Sequence, residues 1–172
     1  MIILYTKNLQ QFLGFGNRAI PLPEFSNPDA LWHGNIFKYK RKNVLHLCHE
    51  LSRYTIFING LTKKDLKNLP EIINEHLSYH ILKDQIPLRD ATYVVSMLKY
   101  FSYYKKTNKK VLGTMANQKQ VFEILGDENE VINDKELSHD INHLLIKIDG
   151  KYIHSYEAFK EYISFSNKNK DI

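Results

Sequence analysis

The sequence predicts an α+β fold in which a small antiparallel sheet packs against four to five helices. Three strand-like segments come early in the chain, and the later segments mostly show the 3.6-residue apolar spacing of helices. Strands alternating with helices would instead indicate a wound parallel sheet. The chain has 172 residues, enough for one self-sufficient core. We expect residues 1–165 to form one domain and residues 166–172 to be a frayed polar tail.

The N-terminal segment predicts the first strand and a short helix. Residues 2–6 are apolar and aromatic, which favours a strand. Residues 7–13 form a helical turn or two, because Gly14 and Gly16 can end a helix. Residues 17–31 contain three prolines, which prevent regular structure, so we expect a mobile loop there.

A hairpin and a third strand complete the predicted sheet. Residues 35–39 and 44–49 alternate in polarity on either side of a basic, polar tetrapeptide, as the strands of a hairpin do. β-Branched and aromatic residues at 54–58 predict the next strand, which Asn59-Gly60 ends.

The remainder of the chain predicts mostly helices. A helix with a capping box at Thr62–Asp65 carries one apolar face as far as Leu82, although Pro70 requires it to start late or to kink. Asn133 and Ser155 are N-cap residues for two later helices. Three further segments complete the prediction: helices at 91–99 and 111–125, and a strand at 100–106.

Composition places the protein among ordinary globular chains. Hydrophobic residues make up 43% and charged residues 25%, and the low counts of 7 Gly and 5 Pro exclude collagen-like and Pro/Gly-rich disordered classes. The single cysteine, Cys48, excludes an intrachain disulfide and a cysteine-rich zinc site. The apolar runs are shorter than a membrane span, and the first apolar residues are too few for a signal sequence. We therefore expect a cytoplasmic protein with no membrane partner.

Charge is distributed unevenly along the chain. The net charge is +5, yet residues 1–110 hold 17 basic and 8 acidic residues, whereas residues 111–172 hold 7 and 11. Such asymmetry indicates a polyanionic partner on one face, and we expect RNA or a nucleoprotein complex.

Two basic clusters are the candidate nucleic-acid contacts. Cations bind phosphates, and aromatic rings beside them stack bases. The second cluster is preceded by four aromatic residues, Tyr100, Phe101, Tyr103 and Tyr104. Both clusters also fit ordinary solvated turns. The candidates are Lys38, Lys40, Arg41 and Lys42, joined by Arg53, in the first cluster, and Lys105, Lys106, Lys109 and Lys110 in the second.

The acidic segment from Glu123 to Asp140 is a candidate protein-binding face. It carries seven acidic residues against a single lysine. Such a segment can imitate nucleic acid in the basic groove of a partner, or it can be a solvated loop and helix start. An interaction of the first kind would depend on Glu123, Glu128, Glu130 and Asp134.

Polar side chains near the end of the second hairpin strand are candidates for catalysis. His46 and Glu50 share one face of this strand, and His49 points the other way. A His–Glu pair can cleave RNA by acid–base chemistry without a metal, because the 2′-hydroxyl is the nucleophile. Arg41 or Arg53 would stabilise the phosphorane charge. The candidate catalytic residues are His33, His46, His49 and Glu50.

Two histidine pairs have the spacing of metal ligands. His76 with His80, and His139 with His143, are four residues apart, which places both rings on one helix face. A metal site also needs a further carboxylate or imidazole, and the local sequence does not show one. We predict no metal and no cofactor, and a metal-dependent enzyme remains an alternative.

Three motifs resemble a known family. The first motif consists of Trp32-His33-Gly34-Asn35, Lys40-Arg41-Lys42 and Ser52-Arg53-Tyr54-Thr55. The second is residues 108–117. The third consists of Ile141-Asn142-His143, Gly150 and Tyr152-Ile153-His154. Together they resemble the uncharacterised bacterial domain of unknown function six-nine-three-three, whose members resemble stand-alone mobile-element proteins or the leading domain of plasmid ORF-3-type proteins. Gly34 replaces an alanine of the family pattern, and the family implies no established chemistry. The motif positions include Trp32, Asn35, Tyr54, Gly113 and Asn117.

These observations favour a phage or plasmid accessory protein that acts on RNA or on a nucleoprotein. The narrowest form of this hypothesis is an inhibitor of a host nucleic-acid-guided defence system, like an anti-CRISPR protein, that binds or cleaves its RNA. If the protein is an enzyme, we expect a ribonuclease. The alternative is a non-catalytic interaction module that uses the acidic segment as a nucleic-acid mimic or acts like an antitoxin.

Overall fold

The computed structural model of the protein describes residues 1–16, 20–21, 23–24, 28–97, 101–106 and 108–168. Within these residues, six α-helices surround a five-stranded sheet, and two further strands form a small second sheet. The predicted α+β class is therefore confirmed.

Among the described residues, four strands and one helix come first, and five helices with three further strands follow. The strands are β1 (Ile2–Tyr5), β2 (Leu31–Tyr39), β3 (Lys42–His49), β4 (Thr55–Asn59), β5 (Ser102–Tyr104), β6 (Leu145–Ile148) and β7 (Lys151–His154). The helices are α1 (Lys7–Leu13), α2 (Leu69–Lys83), α3 (Leu88–Met97), α4 (Lys109–Asp127), α5 (Asp134–Asn142) and α6 (Ser155–Lys168).

The large sheet has the strand order β4-β3-β2-β1-β5 and is mixed. The β2–β3 and β3–β4 pairs are antiparallel, as predicted. The expectation of an antiparallel sheet throughout is wrong, because β1 runs parallel to both β2 and β5. The connection through α1 returns the chain to the end of the sheet where β1 began, so Ile2 pairs with Leu31. On the other side of β1, Ile2 pairs with Ser102 of β5.

The β2–β3 hairpin has a two-residue turn. Lys40 and Arg41 both have positive φ angles, +44° and +66°, and a turn of this kind matches the twist of the flanking strands. Tyr39 pairs with Lys42 across the turn. β2 starts at Leu31, four residues earlier than predicted, because its first residues pair with β1.

Helices cover both faces of the large sheet, so side chains of β3 and β4 alternate between two cores. Leu45, Leu47 and Ile56 face the core that includes Trp32 and Phe159. Val44 and Phe57 face the opposite core, beside Phe122 of α4 and Ile141 of α5. Cys48 lies on the α4 side with Val111 and Met115, and burial raises the pKa of its thiol to about 12.

Several predicted boundaries shift in the later elements. α2 starts at Leu69 with Pro70 in its first turn, after a 3-10 turn, so the expected late start is confirmed. α5 ends at Asn142, and β6 and β7 follow it, although no strand was predicted there. Their Asp149-Gly150 turn has φ angles of +45° and +91°, and such a dipeptide between β-rich segments is a recognised hairpin signal.

Some predictions concern residues that lie outside the described part. The expected loop at 17–31 is described only in part, and residues 28–30 of it form a 3-10 turn. Tyr100 and Thr107 lie outside the described residues. The helix α6 extends to Lys168, so residues 166–168 of the expected frayed tail are helical, whereas residues 169–172 lie outside the description. Among the helices described, none combines the length and apolarity needed to cross a bilayer.

Candidate functional site

The structure joins Glu50 to His33. His33 on β2 lies opposite Cys48 on β3, so Glu50, two residues beyond Cys48, is the diagonal neighbour of His33 on the same face. His33 Nε2 donates a hydrogen bond to Glu50 Oε2. Asn108 Nδ2, just before α4, donates to Glu50 Oε1 at 2.7 Å. No local sequence pattern predicts the contact of Asn108 with Glu50, because the two residues are 58 positions apart.

The predicted pairing of His46 with Glu50 does not form, because four strand residues separate them by about 13 Å and Glu50 contacts His33 instead. His46 Nε2 is hydrogen-bonded to Thr55 Oγ1 at 2.7 Å, and its ring stacks on Phe57. Burial lowers the pKa of His46 to about 3. The imidazole is therefore a neutral part of the core.

His49 also belongs to the core. Its Nδ1 lies 2.8 Å from Ser52 Oγ, and its ring packs against Trp32 and Phe159. The residue is 1% exposed. Of the four predicted catalytic residues, Glu50 has the most accessible side chain, with 18% exposure against 1% for His33.

The Glu50 carboxylate is held in its ionised form. Burial opposes ionisation, but the hydrogen bonds from His33 and Asn108 outweigh it and lower the pKa of Glu50 to about 2. Glu50 lines a cavity of about 480 Å³ whose other lining residues include Lys105, Lys106 and the prolines Pro21, Pro23 and Pro28. Both lysines are exposed, and no ion pair to either is formed within the described residues.

A second cavity, of about 320 Å³, has a mainly aromatic lining. Phe15 lies edge-on to both Tyr5 and Tyr103, with ring centroids 5.8 and 5.3 Å apart. Ile20 lines the aromatic cavity and Pro21 the lysine cavity, so the backbone hydrogen bond from Lys105 N to Ile20 O, 3.0 Å, lies between the two. We call the two cavities together the β5 surface, defined by Phe15, Tyr103, Lys105, Lys106 and Glu50.

The two predicted basic clusters do not form one patch. Lys40 at the hairpin tip contacts the end of α4, where its Nζ donates to Gly126 O at 2.9 Å and lies 3.3 Å from Asp127 Oδ1. Lys109 and Lys110 begin the same helix, and Lys110 pairs with Asp149 at 2.9 Å. The 19 residues of α4 separate the clusters by about 28 Å.

The remaining predicted cations of the first cluster differ in exposure. Lys38, Arg41 and Lys42 are exposed around the hairpin tip. Arg53 is only 7% exposed and has a positive φ of +59°, and its carbonyl oxygen accepts a hydrogen bond from Gln118. Because Arg53 is buried, little of its guanidinium is exposed to bind a phosphate.

The acidic segment is partly used within the fold. Asp134 Oδ2 accepts a hydrogen bond from Asn59 N at 2.6 Å, and Glu123 lies 3.5 Å from Lys119. Glu128 and Glu130 are exposed on the turn between α4 and α5. On the same stretch Val131 is 83% exposed.

The pair His139 and His143 gains a carboxylate that the sequence did not indicate. Asp84, the C-cap residue of α2, is buried, and its Oδ1 lies 3.1 Å from His139 Nε2 and 3.0 Å from His143 Nε2. Asp84 precedes His143 by 59 residues, so only the packing of α2 against α5 brings them together. These three residues could hold a metal ion.

The other predicted pair, His76 and His80, lies on the buried face of α2. Burial lowers the pKa of both imidazoles, that of His80 to about 3. Among the described residues, neither ring nitrogen of His80 has a hydrogen-bond partner.

The family-motif positions have mixed roles. Trp32 and Tyr54 are 1% exposed core residues. Asn35 Oδ1 accepts a hydrogen bond from Thr6 Oγ1 at 2.7 Å, and Thr6 is the N-cap of α1. Gly113 and Asn117 are exposed on α4.

A larger cavity, of about 560 Å³, lies between α6, the β6–β7 hairpin and the turn after β3. Its lining is mainly apolar and aromatic, with Tyr152, Ile153 and Phe165 among its residues, and no predicted site residue lines it. Lys151 and Glu161 are its charged lining residues, so this cavity presents one lysine where the β5 surface presents two.

Comparison with known proteins agrees with the resemblance of the sequence motifs. None of the curated proteins compared with the chain matches it. The family model described as "Domain of unknown function (DUF6933)" matches residues 2–158. This match includes all three motifs and every element from β1 to the start of α6, and the chain therefore belongs to the DUF6933 family.

Proposed function

We propose that the protein binds single-stranded RNA at the β5 surface and does not cut it. The observation that carries this proposal is the backbone hydrogen bond from Lys105 N to Ile20 O, which links a cavity bordered by two exposed lysines to an aromatic cavity. Single-stranded nucleic acids are bound by this combination, because aromatic rings stack bases while cations follow the phosphates.

The aromatic cavity supplies the stacking surface. Phe15 is 39% exposed, so one side of its ring is available to a base. Tyr103 supports that ring from the edge strand β5. Each stacked base contributes about 1–3 kcal/mol to binding.

The lysine cavity offers two kinds of contact. Lys105 and Lys106 at its border are suited to phosphates. The ionised Glu50 accepts hydrogen bonds and repels phosphates, so it suits the N–H groups of a base edge. His33 and Asn108 hold this carboxylate in place. The arrangement separates phosphate contacts from base contacts.

Binding without cleavage follows from the state of the candidate catalytic groups. A general base works best with a pKa near the working pH, whereas the pKa of Glu50 is about 2. His33 is buried behind Glu50, and His46 and His49 are core residues. A ribonuclease at this surface would lack an accessible imidazole.

The narrower hypothesis concerns the source of the RNA. We propose that it belongs to a host nucleic-acid-guided defence system, in the cytoplasm, because the family motifs resemble those of mobile-element proteins. Competition between a guide RNA of such a system and an unrelated RNA of equal length tests this step. Equal competition by the two RNAs would restrict the proposal to general RNA binding.

The test of the proposal is a charge reversal with a matched control. Lys105→Glu with Lys106→Glu should weaken binding of a labelled oligonucleotide of about 12 nucleotides by at least tenfold. It should also reduce the salt slope by about 1.4, because each lost phosphate contact on a single strand contributes about 0.7. Fluorescence anisotropy between roughly 50 mM and 200 mM salt gives both values.

The control reverses the same amount of charge elsewhere. Lys63 and Lys64 are adjacent, exposed and line neither cavity, so Lys63→Glu with Lys64→Glu should leave most of the affinity intact. Equal loss in both double variants would show that net charge, and not the β5 surface, causes binding. Shortened RNA on a denaturing gel, with loss of cutting in Glu50→Gln, would overturn binding without cleavage.

A protein partner at the α4–α5 turn is the second candidate function. Glu128 and Glu130 are exposed there beside Val131, whose side chain is 83% exposed. An apolar residue bordered by acidic ones fits a partner with a basic rim, and such charges act mainly on the association rate. Reversal of Glu128 and Glu130 to lysine should slow association with the partner, and an unchanged association rate would reject this face.

A further inference from the structure

We propose that Asp84, His139 and His143 form a binding site for a divalent transition-metal ion such as Zn²⁺. This site is separate from the β5 surface and does not depend on RNA binding. It joins the C-terminal ends of α2 and α5, since Asp84 caps α2 and His143 caps α5.

The geometry of the three ligand atoms fits a metal. Asp84 Oδ1 lies 3.1 Å from His139 Nε2 and 3.0 Å from His143 Nε2, and all three atoms lie within 4.8 Å of one another. Two ligands of a tetrahedral zinc ion, each about 2.1 Å from the metal, lie about 3.4 Å apart. A small outward movement of the two rings therefore makes room for the ion.

The ligand types are those of known zinc sites. Two imidazoles and one carboxylate bind zinc with a further position left for water. Imidazole ligands favour zinc, copper, iron and nickel over magnesium and calcium. The side chain of His143 is 37% exposed, so an ion can enter from solvent and keep that open position.

Neighbouring residues already orient the ligands. Tyr54 is 1% exposed, and its hydroxyl donates to Asp84 Oδ2 at 2.8 Å, which leaves Oδ1 for the two histidines. Tyr156 stacks on the His143 ring with centroids 3.9 Å apart. Outer contacts of this kind fix the ligand rings and increase metal affinity.

His80 supplies an independent indication. It is 1% exposed and lies one helical turn before Asp84, and neither of its ring nitrogens has a hydrogen-bond partner among the described residues. A buried polar side chain without a partner is unfavourable unless a ligand or water satisfies it. A metal with its bound water beside Asp84 would provide such a partner.

A second acidic group near His139 is a weaker candidate. Glu136, His139 and Asp140 also place ligand atoms close together. However, Glu136 already accepts hydrogen bonds from Tyr79 and Lys83. A metal there would have to displace a lysine, whereas among the described residues the hydrogen-bond and ion-pair partners of Asp84 Oδ1 are the two histidines.

The test measures binding of ZnCl₂ to the tag-free, metal-stripped full chain by titration calorimetry. We expect one ion per chain, with affinity lowered about 100-fold by His143→Gln or Asp84→Asn and about tenfold by Tyr54→Phe. The matched control is His154→Gln, because His154 lies beside Tyr156 but supplies no ligand atom to the group. It should bind zinc like the unaltered chain.

Two further measurements keep the result independent of folding defects. His143 is partly exposed, so His143→Gln should keep the circular dichroism spectrum of the parent protein. Zinc at about 100 times its Kd should raise the melting temperature of the parent by about 5–10 °C and leave that of His143→Gln unchanged. No saturable binding by the parent, or equal binding by His143→Gln, would overturn the site.

Discussion

The side chain of Asn142 replaces a neighbouring strand for Thr55. Its Oδ1 accepts a hydrogen bond from Thr55 N at 2.7 Å, and its Nδ2 donates to Thr55 O at 2.8 Å. Two further side chains of α5, at intervals of four residues, accept hydrogen bonds from backbone N–H groups of β4. Ser138 accepts from Phe57 N, and Asp134 accepts from Asn59 N. Four residues of helix rise about 6.0 Å and two residues of strand about 6.6 Å, so the two repeats match.

This match has two consequences. An edge strand with unpaired backbone groups invites pairing with another chain, and α5 closes this edge of the sheet. The same contact fixes the rotation of α5 about its axis, so that His139 and His143, each one residue after a bonding residue, face Asp84. Asp134 is thereby used to hold the fold together.

Removal of the Asn142 amide should strongly destabilise the protein. Asn142→Ala leaves both backbone groups of Thr55, which is 0% exposed, without partners. Each unsatisfied buried group costs about 1–3 kcal/mol, so we expect a loss of about 2–4 kcal/mol in urea unfolding. The exposed Asn117 provides the control, and Asn117→Ala should change stability by less than about 0.5 kcal/mol. A similar loss in both variants would contradict the role of the edge contact.

Glycine-to-alanine exchange should have opposite effects at two positions. An added Cβ at Gly34 would lie 2.6 Å from Leu9 Cδ2 and 2.8 Å from Ile3 Cγ2, because α1 packs closely on β2 there. Gly34→Ala should destabilise by about 1–3 kcal/mol. Gly113 lies within α4 with no atom within 4 Å of an added Cβ, so Gly113→Ala should stabilise by about 0.5–1 kcal/mol. The midpoints of urea unfolding measure both changes in stability. A Gly34→Ala variant more stable than the parent would contradict the close packing of Leu9 and Ile3 on Gly34.

The pH dependence of stability should show the buried state of His46. Its pKa is lowered from 6.5 to about 3 by burial, so the unfolded chain binds a proton below pH 6.5 that the folded chain does not. This stabilisation is complete above pH 6.5 and decreases by at most about 1.4 kcal/mol per pH unit as the pH falls toward 3. Melting temperatures of the parent and of His46→Gln should converge on acidification. Parallel curves would contradict the assignment.

Glu50 should give the β5 surface a preference for guanine. A carboxylate can accept two hydrogen bonds from the Watson–Crick edge of guanine and one from uracil. We expect an oligouridylate with one central guanine to bind more tightly than plain oligouridylate, by about fivefold. Glu50→Gln should remove this difference, whereas Phe15→Ala should weaken both oligonucleotides equally. A preference that persists in Glu50→Gln would place base recognition elsewhere.

Local patterns predicted many of the elements. The helix start at Asn133, the late start of α2 at Leu69 and the first strand are as expected, because caps, prolines and apolar periodicity act over a few residues. The β6–β7 hairpin was missed, although its Asp149-Gly150 turn is a local signal. The prediction that β1 runs antiparallel to its neighbour was wrong, because the parallel pairing with β2 depends on the crossover through α1.

The candidate sites were less accessible to sequence reasoning. Glu50 and His33 were both identified, but their pairing required the register of β2 on β3. The length of α4 separates the two predicted basic clusters, and Lys40 is paired with Asp127. No local sequence pattern marks Asp84 as a ligand, because its partners His139 and His143 belong to α5 and its C-cap, and α5 begins 50 residues later.

The α+β class, the family and most helical and strand segments can be predicted from the amino-acid sequence alone. These properties follow from residue patterns a few positions long and from motifs that cover most of the chain. The contacts between polar groups depend on how distant segments pack. Strand register places His33 on Glu50, and the hydrogen bonds of α5 to the β4 edge turn His139 and His143 toward Asp84. Such contacts depend on the packing of distant segments, which local periodicity does not encode.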